Sequence, residues 1–149
     1  MALRALFATA SRLGDGLGWY VLALLMLVLH GASAVLPMAL MIGSGGAGVL
    51  IYLTIKRRTA RLRPLNRNGR LETSVAPLDQ YSFPSGHTLH AVNFGIQLVV
   101  FQPALIWIVL PFALLVATSR MVLGLHYLSD VLVGAAIGAA IALISFSVL

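Results

Sequence analysis

Long apolar runs separated by short polar breaks dominate the chain. Residues 19–36 are largely apolar, interrupted by His30 and Gly31, and residues 37–55 are largely apolar again. Three more apolar stretches cover 85–101, 104–123 and 126–149, divided by Gln102-Pro103 and by a turn at Gly124. At about 1.5 Å of rise per residue, each can cross roughly 30 Å of hydrocarbon as a helix. Pro37 suits the first turn of the second helix, where its missing N–H is no loss. Ahead of these runs, Leu3, Leu6, Phe7, Ala10 and Leu13 recur at spacings of three and four, with Arg4 and Arg12 on other faces. That pattern predicts a short amphipathic helix on the membrane surface, ended by Gly14, Asp15, Gly16 and Gly18. The expected architecture is an all-α polytopic membrane helix bundle of five transmembrane helices plus the N-terminal surface helix, one domain over residues 1–149.

Composition supports the membrane reading. The chain is 60% hydrophobic and 9% charged, against about 25% charged in soluble domains, and its mean hydropathy is +0.97. Residues 1–18 hold no compact apolar core followed by a small-residue cleavage site, so they do not read as a signal peptide. The absence of cysteine excludes disulfides, thiolate metal sites and cysteine nucleophiles. Ten basic residues stand against four acidic ones. In a membrane protein that excess points to lipid head groups, orientation signals or an anionic substrate, not to nucleic acid.

Because spanning helices alternate in direction, every polar motif is assigned to one side. The polar loop at 56–83, the start of the third run at Ser85, and the junction from Arg120 to His126 all fall on one face. The opposite face receives His30 to Leu36, Gln102-Pro103 and the C-terminus, none of which brings Lys, Arg, Asp or Glu. Three clusters therefore converge: KRRTARLRP at 56–64, PSGH at 84–87 and SRMVLGLHYLSD at 119–130. Ionisable groups at such a border are costly unless paired or used.

His126 and Asp130 lie four residues apart, on one helical face. A carboxylate there can accept a hydrogen bond from one imidazole nitrogen and leave the other free as nucleophile or base. Arg120, Lys56 and Arg63 can surround one anion, since guanidinium forks match phosphate oxygens and lysine adds a point charge. Pro84 stiffens the approach to a helix whose first turn holds Ser85, Gly86 and His87. Free amides and the helix dipole there form an anion site, Gly86 allows close approach, and the Ser85 hydroxyl adds a donor. His87 is placed to give a proton to a leaving alkoxide and later take one from water.

The pattern Lys56-x6-Arg63-Pro64, Pro84-Ser85-Gly86-His87 and Ser119-Arg120-x5-His126-x3-Asp130 resembles the three-part signature of the type 2 phosphatidic acid phosphatase (PAP2) superfamily. The signature frames residues 56–130. The resemblance implies an integral-membrane lipid phosphatase working by in-line displacement. It implies catalytic roles for three residues: His126 as nucleophile, Asp130 orienting it, and His87 as acid and then base. Lys56, Arg63, Arg120, Ser85 and the amide of Gly86 are implied to bind phosphate. No metal and no cofactor are implied, because cationic side chains take the metal's place. The implied partners are the bilayer and a membrane lipid phosphate such as phosphatidic acid, phosphatidylglycerol phosphate or undecaprenyl diphosphate. A lipid phosphotransferase using the same phosphoenzyme, or a non-catalytic lipid-phosphate binding or transport protein, would need the same pocket. The first 55 residues carry no part of the signature. Flanking charge places the active face in the cytoplasm, whereas the resemblance implies the periplasmic face of a bacterial inner membrane; the latter is the expectation adopted.

Other motifs have plainer readings. Arg57, Arg58, Arg61, Arg67 and Arg70 read as membrane anchors or head-group contacts. Gly43, Gly45 and Gly48 spell G-x-G-x-x-G but lie within an apolar helix with no preceding strand, so close packing explains them, not a dinucleotide. Gly134 and Gly138 form a GxxxG face for packing within the protomer or between protomers of a homo-oligomer. His90, three residues after His87, lacks acidic companions for a metal site and is read as lining the substrate entrance. His30 is read as interfacial.

Overall fold

The computed structural model describes residues 2–68 and 79–147, except the side chains of Leu17, Arg67 and Asn68. The anchoring roles expected of Arg67 and Arg70 fall outside those described parts. Seven α-helices occur among the described residues: α1 Ala2–Arg12, α2 Gly18–His30, α3 Ala32–Thr59, α4 Pro64–Asn68, α5 Gly86–Phe101, α6 Ile106–Val122 and α7 Leu128–Phe146. A π-helical turn, Leu13–Leu17, joins α1 to α2, and a 3-10 turn, Pro103–Leu105, leads into α6.

Among the described residues, three stretches are long and apolar enough to cross a bilayer: Ala32–Thr59, Pro103–Val122 and Leu128–Phe146. A fourth is reached if α1 and α2, bent by 57°, are taken as one span. The expected five are not reached on length, since α2 has 13 residues and α5 has 16. The break between the first two apolar runs also differs from expectation. It falls at Gly31, with φ +56°, and Pro37 lies inside α3. Nothing lies within 4 Å of a Cβ placed on Gly31, so its left-handed backbone, not crowding, calls for glycine. Pro37, the sixth residue of α3, cannot donate to the Ser33 carbonyl, yet the helix runs through it.

Helix α5 is the central element, packed against α3, α6 and α7. Its approach to α7 depends on two glycines. A Cβ on Gly134 would stand 2.5 Å from the Ser85 carbonyl oxygen, and one on Gly138 would collide with the Leu89 carbonyl. The GxxxG face is thus used for packing inside the protomer, one of the two readings the sequence allowed. Between α3 and α5 the Ser44 hydroxyl accepts from Asn93 Nδ2 (3.0 Å) and Gln97 Nε2 (2.8 Å). Such polar contacts hold helices together where apolar packing alone gains nothing over lipid. Trp19, 1% exposed, meets the rings of Phe94 and Phe112 at 5.8 and 5.2 Å and ties α2 to α5 and α6. The outer faces carry exposed Val28, Ile42, Trp107 and Leu143, the exterior of a bundle solvated by hydrocarbon.

Helix α1 lies across the end of α6, with Phe7 and Ala8 on Leu123 and Leu125. At the far end the rings of His30 and Phe101 meet at 5.2 Å. The ends of α3 and α6 and the starts of α5 and α7 therefore share the face on which α1 sits. Replacing Gly138 with alanine should lower the thermal midpoint in detergent, an overpacking cost of about 1–3 kcal/mol. Gly43→Ala, with nothing within 4 Å of the added methyl, should leave the midpoint unchanged or raise it.

Candidate active site

Four chain reversals deliver the polar groups. Helix α3 ends with Lys56 in its last turn and Ala60 in a left-handed conformation (φ +46°), which turns Arg61 to Arg63 back across the bundle. Helix α5 starts at Ser85, whose hydroxyl caps it by accepting from the Thr88 amide (3.4 Å). Helix α6 ends at a turn with Gly124 at φ +68°. There the Arg120 carbonyl accepts from the amides of Leu125 and His126, both at 3.0 Å. Helix α7 starts with Asp130 Oδ2 accepting from the Tyr127 amide at 2.8 Å, a local cap. The Ser85 amide donates to the Asp130 carbonyl at 2.9 Å and locks the last two starts together.

One cavity of about 470 Å³ is lined by Lys56, Arg63, Gly86, His87, Arg120 and His126, together with His90. Six of the eight residues singled out from the sequence thus face a single space. Lys56, Arg63, Arg120 and His126 are each less than 5% exposed.

The orientation of His126 follows from its partners. Its Nδ1 lies 2.6 Å from the Ser82 carbonyl, which can only accept, so Nδ1 carries the proton. Nε2 is then a lone pair, and Arg63 Nη1 donates toward it at 3.2 Å. The same Nη1 holds the Leu125 carbonyl at 2.9 Å. Burial holds the His126 pKa down at about 4, outweighing an opposing pull from Asp130, and the charges of Arg120, Arg63 and Lys56 add to the lowering.

Two expected site residues, Ser85 and Asp130, are not part of the cavity lining. The Ser85 hydroxyl accepts from the Thr88 amide in the α5 cap and shares a hydrogen bond with Thr88 Oγ1 at 3.0 Å, so its contacts in the fold lie within the start of α5. Asp130 is 3.7 Å from His126 Nδ1, beyond hydrogen-bond reach. The Ser82 carbonyl occupies the place expected for it, because Asp130 is held by its own cap and by Arg61. Arg61 Nη1 pairs with Asp130 Oδ1 at 2.7 Å and lies over the Tyr127 ring at 4.2 Å. That inward pairing corrects the reading of Arg61 as a membrane anchor.

The structure also adds residues. Asp79 bridges two cations, taking Lys56 Nζ at 2.5 Å and Arg63 Nη2 at 2.7 Å. Burial opposes its ionisation, but hydrogen bonding and charge from Lys56 and Arg63 prevail and hold its pKa below 3.8. From the N-terminal turn, the Asp15 carboxylate touches His87 Nε2, and the Ser11 hydroxyl accepts from Arg120 Nη1. For Asp15, too, burial is outweighed by His87 and Arg120, and its pKa is lowered from 3.8. A signal for both acids lay in the sequence, since four acidic residues among ten basic ones are scarce enough to be sought as partners. Among the described residues, no three His, Cys, Asp or Glu side chains group together as a metal site.

The pattern of the PAP2 superfamily matches residues 19–149. The chain belongs to the PAP2 superfamily. It is a PAP2 phosphatase, an integral-membrane lipid phosphatase of a metal-independent family. It is 36% identical over 139 residues to a decaprenylphosphoryl-5-phosphoribose phosphatase of Mycobacterium tuberculosis, covering 89% of this chain and 72% of the relative. It is 35% identical over 91 residues to an undecaprenyl-diphosphatase of Sulfolobus acidocaldarius, covering 60% and 44%. In fold it resembles a transmembrane PAP2 type phosphatidylglycerolphosphate phosphatase from Bacillus subtilis, with a TM-score of 0.76 at 24% identity over 98% of this chain and 76% of that one. Aquifex aeolicus LpxE gives 0.75 at 24% identity, covering 98% and 86%.

A pH dependence of stability follows for this PAP2 phosphatase. His126 titrates at about 4 in the fold and near 6.5 when unfolded. Between those values the unfolded chain binds a proton that the folded chain refuses. Stability is therefore full above about pH 6.5 and is lost as pH falls toward 4. Thermal midpoints in detergent from pH 7.5 to 4.5 should fall, and His126→Gln should flatten that decline.

Proposed function

We propose that this PAP2 phosphatase removes a phosphate from a polyprenyl-linked phosphate whose tail lies within the bundle. The observation that carries the reading is the continuity of the cavity. Below the cations it continues as an apolar trough between α2 and α3, past Trp19, Tyr20, Ala23 and Leu27 on one side and Val49, Gly46, Ile42 and Met38 on the other. From Lys56 to Met38 the trough follows α3 for about 27 Å, close to the depth of one hydrocarbon core. A lipid with its phosphate among Lys56, Arg63 and Arg120 can lay a long single chain along it. Both curated relatives carry polyprenyl substrates in their names, which favours an isoprenoid tail over the glycerolipid alternatives.

In this reading His126 Nε2 attacks phosphorus while the ester P–O bond breaks, and a phosphohistidine forms. His87 gives its proton to the departing oxygen. Water then gives a proton to His87 as its oxygen bonds phosphorus and the N–P bond breaks. Lys56, Arg63, Arg120 and the Gly86 amide hold the phosphoryl oxygens as charge spreads over them. Asp130 acts through Arg61 and the start of α7, and Ser85 through the cap of α5. Helices α2, α3, α5, α6 and α7 sit in the bilayer as a five-span domain, with α1 on the surface.

The test is phosphate release by purified protein from polyprenyl phosphates and diphosphates, beside phosphatidic acid and phosphatidylglycerol phosphate. Polyprenyl substrates should be turned over at least tenfold faster in kcat/KM. His126→Ala should abolish release and the acid-labile phosphate that substrate leaves on the protein. Phosphate found on an acceptor lipid, with none released, would instead make the enzyme a phosphotransferase.

The site is placed on the periplasmic face, as the family resemblance implies. Lys56, Arg61, Arg63 and Arg120 are all bonded inside the fold, leaving Arg4, Arg12, Arg57 and Arg58, among the described side chains, as exposed cations on this face. By charge count those four favour the cytoplasm, so a direct measurement is needed. The chain has no cysteine, and a single one introduced by Arg58→Cys should react with a membrane-impermeant maleimide in intact cells. Protection until the inner membrane is opened would put the site in the cytoplasm.

A further inference from the structure

Asp15 precedes residue 19, where the family match begins, yet it reaches the centre of the site. Three contacts fix it there. The Ser11 hydroxyl, fully buried, binds the Arg120 guanidinium. Gly14 sits so close to Val116 that an added Cβ would lie 2.9 Å from its methyl groups. Phe7 and Ala8 anchor α1 on Leu123 and Leu125. Gly16, at φ +129°, then turns the chain into α2, and the Asp15 carboxylate is left against His87 Nε2.

Nε2 is buried and has no well-formed hydrogen bond among the described residues, so its pairing with Asp15 is one of charge. The carboxylate thus supplies charge beside Nε2 while leaving the direction of its proton free. The other ionisable groups facing His87 are Lys56 from α3, Arg120 from α6 and, one turn along α5, His90. Two of those are cations that repel an imidazolium. Among the described residues, Asp15 is the acid in contact with it.

We propose that Asp15 is a positioning residue for proton transfer at His87, brought to the PAP2 site by the N-terminal helix and its π-turn. The inference rests on the reading of His87 as the general acid. As the bond from His126 Nε2 to phosphorus forms and the ester P–O bond breaks, the His87 proton passes to the leaving oxygen. Asp15 stays ionised throughout and stabilises the imidazolium before that transfer and again after water has returned a proton.

Leaving-group dependence tests this in the full chain. General acid assistance is worth about 10²–10⁴ for a poor leaving group and little for nitrophenolate, which departs without a proton. In kcat/KM, which ends at phosphoenzyme formation, Asp15→Asn should lower dodecyl phosphate hydrolysis by ten- to a hundredfold. Hydrolysis of 4-nitrophenyl phosphate should change less than threefold, and Asp15→Glu should restore part of the loss. In a His87→Ala background, Asp15→Asn should add nothing further. Equal losses on both substrates, no loss on either, or additive losses with His87→Ala would overturn the role of Asp15. If His87→Ala itself does not discriminate between the leaving groups, the reading of His87 is what fails. If it discriminates and Asp15→Asn does not, His87 stands and Asp15 has no such role.

Discussion

Three cationic side chains, Lys56, Arg63 and Arg120, are buried beside one cavity at the end of an apolar bundle, and each must be compensated before substrate arrives. Two unit charges 4 Å apart at an effective dielectric near 20 interact by about 4 kcal/mol, so mutual repulsion alone could open the site. Asp79 prevents this by holding Lys56 and Arg63 together, while Arg120 leans on the Ser11 hydroxyl. If these cations bind phosphate as proposed, the incoming group presents oxygens of the same charge and hydrogen-bonding type as Asp79. It can therefore exchange with existing contacts without exposing the cations to an uncompensated state.

The same economy of contacts orients His126. A backbone carbonyl, Ser82, fixes its tautomer, a choice that needs no ionisable group and does not vary with pH. Asp130 works one layer out: it caps α7, receives Arg61, and through its carbonyl receives the Ser85 amide. That last bond requires α5 and α7 to approach closely, which Gly134 and Gly138 allow. Backbone packing deep in the bundle and side-chain geometry at its edge are thus one linked arrangement.

Much of this was legible in the order of residues. Apolar periodicity located the long helices, alternation of direction put the three polar clusters on one face, and Lys56, Arg63, Gly86, His87, Arg120 and His126 do meet at one cavity. What escaped was set by competition among partners. Ser85 and Asp130 have the right types and spacing for the expected roles, but nearer groups claim their atoms: a helix cap for one, Arg61 and the Tyr127 amide for the other. The helix break escaped because proline is a louder local signal than glycine, although the backbone angle needed at the reversal is one that glycine supplies. Asp15 escaped because a pairing across some seventy positions leaves no periodic trace.

Helix α2 is tethered at both ends, by Trp19 among Phe94 and Phe112 near the cations and by Gly31 at the far side. Tyr20 and Ile42 both line the trough and are largely exposed, so its flank is open to lipid along the tethered middle. With a lipid tail bound as proposed, that open flank lets the dephosphorylated chain leave sideways into the leaflet. On that binding mode the lipid product never has to be lifted out of the bilayer.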